Sequence, residues 1–380
     1  MDWIRGRIRD LNVIASTPKR SGGPTVAMKP KPLPFDLTLV RRTAEALAIG
    51  AAGGIAVNST GMPAGLISGS VVAVAIAAIA GRPLTVPVPL ARAVFVLVGI
   101  ALGAIVSPET LHGLTAYPLS MAILATSTFC MIAATSFYLR KVHRWDPLSA
   151  LFGASPGALA QAMAMSAEVG ADLRAIVIVQ TIRVVMLTVG IPMGLALVGF
   201  ELPPGGPVRA AASLVDFAIL LPAALIPAFI LYRVGFQGGW LFGAMLGSGV
   251  LHGGGFIHGT LPWWIYDAAV IVLGTVTGAR FANTSPRLLV RLVGAGLGSF
   301  AVSGAIAVVF MAMVAAVVSV QPANIVIAFA PGAQDTMMVL ALALHMDPVF
   351  VAAHQIARYL LVSLSIPIMA SRIQRRTGRS

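Results

Sequence analysis

The stretch ASPGALAQAMAMSAEVGADLRAIVIVQTIR at residues 154–183 returns in register as FAPGAQDTMMVLALALHMDPVFVAAHQIAR at residues 329–358. Ser155-Pro156-Gly157-Ala158 falls on Ala330-Pro331-Gly332-Ala333, and Asp172, Gln180, Arg183 and Pro192 fall on Asp347, Gln355, Arg358 and Pro367, all at one shift of 175 residues. The chain is a tandem duplication. Polar residues that recur at one offset in an apolar background predict the same polar device in each half, with function where the two devices meet.

Working outward, composition decides the solvent. The chain is 58% hydrophobic and 10% charged, with mean hydropathy +0.91, whereas soluble domains carry about 25% charged residues. The runs from Leu90 to Val106, Tyr117 to Leu139, Ala175 to Phe200, Leu289 to Val320 and Val349 to Ala370 reach or approach the ~20 residues that cross a bilayer as helix. These runs are continuous and not alternating, which excludes a β-barrel reading.

A net charge of +13 invites a nucleic-acid reading. Nine Lys or Arg lie within positions 5–42, and most of the rest form short clusters between apolar runs or at the C-terminus. That distribution is a topology signal, and no direct nucleic-acid partner is expected. Residues 1–38 alternate basic residues with prolines and contain no apolar signal core, so they read as a basic cytoplasmic tail, with Met28 a second candidate start. The single cysteine, Cys130, reads as a small core residue.

Basic clusters also test the number of crossings. With Arg41 and Arg42 inside, spans at about 43–58, 64–80, 90–107, 116–139 and 174–199 put Arg82, Arg92, Arg140, Lys141 and Arg144 inside. Residues 148–170, holding Pro156-Gly157, read as a full crossing or as a re-entrant hairpin. If re-entrant, the later spans at about 212–232, 238–252, 264–279, 290–319 and 349–370 keep Arg233, Arg280, Arg287, Arg291 and the C-terminal arginines inside. A full crossing would move the Arg280–Arg291 cluster outside and break the rule.

The predicted fold is therefore an all-α polytopic membrane protein. It has two inverted repeats of about five transmembrane helices plus one re-entrant helical hairpin each. The organisation is a tail at 1–38, repeat 1 at 39–200, a linker at 201–211, repeat 2 at 212–372 and a basic tail at 373–380. Gly99 and Gly103 match Gly274 and Gly278, and that spacing predicts close helix packing.

Charged groups in a bilayer cost about 2.5 to 3.5 kcal/mol each at the helix centre. Arg183 and Arg358 lie 11 residues beyond Asp172 and Asp347, about 16 Å into their helices. Gln180 and Gln355 precede them by three residues and share their helix face. Two readings stay open: an anion site made of two Arg and two Gln donors, or arginines that bond the carbonyls left unpaired by each Pro-Gly break.

Asp172 and Asp347 read as helix caps first and as proton or cation ligands second. Ser155, Pro156, Gly157 and Gln161 of the first hairpin, and Pro331, Gly332, Gln334 and Asp335 of the second, complete the candidate substrate site. Where Gln334 and Asp335 stand, the first half has Leu159 and Ala160. The Asp335 carboxylate is a candidate for a coupling proton or Na+, or for pairing with Arg183 or Arg358. His252 and His258 flank three glycines in a predicted outside loop, and their spacing makes a poor metal site. His354 is a candidate for proton exchange. The chain has no P-loop, no Gly-x-Ser-x-Gly and no His-Glu-x-x-His, and the reading calls for no cofactor, no metal and no catalytic residue.

The paired Pro-Gly hairpins with their in-register Asp, Gln and Arg resemble the AbrB family of duplicated bacterial membrane proteins, over roughly residues 40–370. It is distinct from the soluble DNA-binding regulator of the same name. Members are labelled as regulators of gene expression or as ammonia monooxygenases. The family pattern has Pro-Gly-Gly, replaced here by Ala158 and Ala333 at the last glycine. An acidic residue often follows in both hairpins; here Gln161 has no carboxylate and Asp335 sits one position early. Six scattered histidines do not supply a monooxygenase metal site, so no enzyme is expected.

The resulting expectation is a secondary transporter of a small, anionic solute, bound between the hairpins at the midplane and coupled to a proton or Na+. The alternative is a membrane sensor with an indirect role in gene regulation. The expected location is the bacterial inner membrane with both termini cytoplasmic, and a homo-oligomer is left open.

Overall fold

The structure, a computed structural model, describes residues 37–106, 117–156, 162, 165–166, 169–199, 212–282 and 284–377. Among these, thirteen α-helices and one 3-10 turn follow one another without a β-strand. The first six are α1 (Leu37–Asn58), α2 (Gly65–Ile79), α3 (Val88–Gly103), α4 (Tyr117–Val142), α5 (Pro147–Ala154) and α6 (Leu173–Leu197). The remaining seven are α7 (Leu214–Arg233), α8 (Gly239–Gly253), α9 (Trp263–Gly278), α10 (Pro286–Val317), α11 (Pro322–Phe329), α12 (Gln334–Ala343) and α13 (Pro348–Thr377). Five stretches are long and apolar enough to cross a bilayer: Tyr117–Val142, Leu173–Leu197, Val215–Arg233, Pro286–Val317 and Pro348–Arg375. The protein is an all-α polytopic membrane protein.

The helix bounds repeat at the shift seen in the sequence. α3 and α9 coincide at both ends, as do α5 and α11. Local chemistry explains the second pair. Pro147 and Pro322 take the first helical turn, where a missing N–H costs nothing, and Asp146 caps α5 by accepting from Leu148 N and Ser149 N at 3.1 and 3.0 Å. Eight residues later each helix ends before a proline, with Ser155 at ψ 121° and Ala330 at ψ 133°. A residue preceding proline is driven out of the α region, so the helix cannot continue.

Hydrogen bonds trace the path of each broken segment. Ser149 Oγ accepts from Asp172 N at 2.8 Å beside the start of α6, while Ser155 at the end of α5 lies beside Arg183, a further 11 residues along. The same order holds from Asn324 against Asp347 to Ala330 against Arg358. α5 and α11 thus run inward alongside the helix that follows them, and the chain must return to its starting level before that helix begins. In the second half α12 makes this return; most of its first-half counterpart lies outside the described residues. The returns end alike, with Gly170 at φ 68° and His345 at φ 53°. A left-handed residue commonly closes a helix, and glycine adopts that conformation without strain.

Packing exchanges the halves. α3 packs on α8, and α9 on α2. A Cβ at Gly99 would stand 2.7 Å from the Ala244 Cβ, and one at Gly274 would stand 2.6 Å from the Ser70 Cβ. The predicted glycine-mediated approach is therefore present, and between the repeats. α4 and α10 pack antiparallel: Tyr138, near the end of α4, donates from its hydroxyl to Gly294 O, near the start of α10, at 3.3 Å. α7, α8, α9, α2 and α3 form one set of neighbours, and α4, α5, α6, α10, α11, α12 and α13 another; α2 against α6 and α3 against α12 join them.

Two expectations change. Cys130 is exposed, on the outward face of α4. In a bilayer the outward face is as apolar as the core, so residue type does not separate them. His252 lies in the last turn of α8, buried, with its ring nitrogens on Ser248 O at 2.9 Å and Gly259 O at 3.0 Å. α8 runs on to Gly253 and takes the histidine with it. The last helix runs to Thr377, beyond residue 372 where the second repeat was expected to end.

Candidate functional site

At each break a buried arginine holds the carbonyls that the proline leaves unpaired. Arg183 Nη1 donates to Ala154 O at 3.3 Å and Nη2 to Ser155 O at 2.9 Å. Arg358 Nη1 donates to Phe329 O at 3.4 Å and to Ala330 O at 2.6 Å, and its Nη2 donates to Gln355 Oε1. The two glutamines repeat the arrangement one turn higher, Gln180 Nε2 to Phe152 O at 2.7 Å and Gln355 Nε2 to Ile327 O at 3.3 Å. Every one of these carbonyls has its twin 175 residues away.

Of the two sequence readings of the arginines, carbonyl fastening is thus observed directly. The same geometry leaves something over. Arg183 and Arg358 are 2% and 1% exposed and close enough for their charges to repel. Among the described residues neither forms a salt bridge, and the Nε of each is a buried donor with no acceptor. A guanidinium pair without a counter-charge in the membrane interior favours any negative group that approaches it.

The caps are as expected. Asp172 Oδ1 accepts from Ala175 N at 3.1 Å, and Asp347 Oδ1 from Val349 N at 2.8 Å and Phe350 N at 3.1 Å. Ser155 spends its hydroxyl on Leu151 O at 2.9 Å, within its own helix. Gly332 N donates to Ala330 O at 2.8 Å, closing a tight turn around Pro331. Gly157 and Gln161 lie outside the described residues. His354 is buried, with Nδ1 on Phe350 O and Nε2 on Ser120 Oγ, both at 2.8 Å.

Gln334 and Asp335 open α12 and face different ways. Gln334 Nε2 donates to Gln355 O at 2.8 Å, leaving Oε1 buried without a donor. Asp335 pairs with neither Arg183 nor Arg358, as the sequence had left open, but with Arg280 at 3.4 Å. Arg280 was read from sequence only as a topology charge. Its role here shows in the repeat comparison, because Ile105 occupies the matching position in the first half. Asp335 also reaches a cleft of about 230 Å³ lined by Ile67 of α2, Phe95 of α3, Leu273 and Thr277 of α9, and Val339 of α12.

Comparison with known proteins now has a geometry to meet. A family model described as "Transition state regulatory protein AbrB" matches residues 66–374. The chain belongs to the AbrB family. Its matched region covers both breaks, both buried arginines and the cleft. An AbrB-type relative in Bacillus subtilis (strain 168), "Uncharacterized protein YhjN", is 25% identical over 349 residues, covering 84% of this chain and 90% of the relative. No solved structure matches.

Proposed function

We propose that this AbrB-family membrane protein is a secondary transporter of a small solute bearing an anionic group, taken up where the two broken segments meet. The observation that carries the reading is the pair of buried arginines without a counter-charge, one at each helix break. Broken segments inside a membrane survive only where their backbone is held by protein or lines a cavity. Paired breaks contributed by two repeats are the usual construction of a transport site. In this reading the repeats are inverted in the inner membrane with both termini cytoplasmic. The antiparallel contact of α4 with its repeat partner α10 supports that orientation, as does the distribution of arginines between spans. Transport then moves the α2, α3, α7, α8, α9 set against the set holding both hairpins.

Reconstitution of the full chain in proteoliposomes tests this. Saturable, gradient-driven uptake is expected for one or more of a panel of carboxylates and amino acids, and loss of that uptake in Asp335→Asn that still unfolds cooperatively. Absence of saturable flux across the panel would refute transport. The family's description favours a second reading, a membrane sensor acting indirectly on gene expression. It predicts ligand binding without flux, in the same vesicles.

A further inference from the structure

We infer that the cleft between α2, α3, α9 and α12 is a binding site for a small zwitterion with an apolar side chain, that is, an apolar α-amino acid. The biological sense of this inference rests on the transport reading; the binding itself does not.

The cleft walls named above are apolar except at one edge, where Asp335 and Thr277 stand and Arg280 reaches across to Asp335. At about 230 Å³ it lies below the ~300 Å³ at which drug-sized pockets begin, so only a small solute fits. The ion pair at its edge is loose. Arg280 Nη2 stands 3.4 Å from Asp335 Oδ2, against about 2.7 to 2.9 Å for a well-made charge-assisted bond. Arg280 Nη1 is a buried donor without an acceptor, and Asp335 Oδ1 accepts only from the neighbouring Thr336 N at 3.0 Å. Both charges therefore have bonding capacity to spare.

The repeat comparison argues that this pair is not part of the scaffold. Thr277, Arg280 and Asp335 correspond to Leu102, Ile105 and Ala160 in the first half. The polar edge exists once, although the framework is built twice.

Charge balance then selects the ligand. An anion that took Arg280 would leave Asp335 bare, and a cation would do the reverse; a buried charge deprived of its partner is strongly disfavoured. A zwitterion replaces one loose pair by two new ones, its carboxylate on Arg280 and its ammonium on Asp335. Its apolar side chain meets Ile67, Phe95, Leu273 and Val339.

The test uses the purified full-length protein in detergent. Thermal unfolding is followed with alanine, valine, leucine and phenylalanine, and with two single-charge relatives of leucine, 4-methylpentanoate and 3-methylbutylamine. At least one amino acid is expected to raise the midpoint saturably, and both relatives to bind at least tenfold more weakly. Asp335→Asn should reverse the order in favour of 4-methylpentanoate, and Arg280→Gln in favour of 3-methylbutylamine. A purely structural ion pair would produce no such exchange. A wild type stabilised equally by a single-charge relative, or by none of the amino acids, overturns the inference, and that comparison requires no variant to fold. Flux of another solute without amino-acid binding would sink this inference alone. Saturable binding without flux would sink the transport reading alone.

Discussion

The two hairpins are fastened alike and equipped differently. In each, an arginine on the following helix bonds two carbonyls at the break, a glutamine bonds a third, and an aspartate caps the helix start. Only the second carries an acid in the first turn beyond the break, and only there does a basic residue answer it from another helix. Fastening has been preserved in both halves, while the polar edge of the cleft belongs to one. The difference separates residues that hold the fold from residues free to specialise.

The largest expected effect comes from the fasteners. Arg183→Ala and Arg358→Ala each orphan two buried carbonyls, at about 1 to 3 kcal/mol per group. Each variant should lose roughly 3 kcal/mol or more, read as yield and unfolding midpoint in detergent. Equal losses support the likeness of the hairpins; a loss confined to one would break it. Lysine should rescue poorly at either position, since a point charge cannot reproduce the guanidinium fork.

Next come the glycines that let the halves approach. Gly99→Ala and Gly274→Ala force a methyl against Ala244 and Ser70, for about 1 to 3 kcal/mol each. A smaller and unequal effect is expected at the caps. Asp347 accepts two backbone N–H bonds and Asp172 one, so Asp347→Ala should cost about 1 to 2 kcal/mol and Asp172→Ala less. Smallest of all in stability is Asp335→Asn. Its partially exposed ion pair is worth no more than about 1 kcal/mol, so the midpoint should barely move while uptake disappears. A large loss of stability there would make Asp335 another fastener and erase the contrast.

Much of this was legible in the sequence. The 175-residue shift carries the helix bounds, the breaks, the caps and the arginine pair, because each depends on local backbone chemistry or on the membrane's intolerance of stray charge. What stayed hidden depends on which helices touch. Cys130 could not be assigned to core or outer face from its apolar surroundings. Asp335 could not be given its partner, since Arg280 lies 55 residues earlier and already had an explanation as a topology charge. The mismatch of Arg280 with Ile105 was the available signal.

The central claim is that the two fastened hairpins open to opposite faces of the membrane. Gly170 and His345 are repeat partners, both exposed and both at the close of a hairpin return. In a Cys130→Ser background, Gly170→Cys and His345→Cys can be probed separately with a membrane-impermeant maleimide in spheroplasts and in inverted vesicles. The account predicts labelling of Gly170→Cys only in inverted vesicles and of His345→Cys only in spheroplasts. Labelling of both from the same side would contradict it.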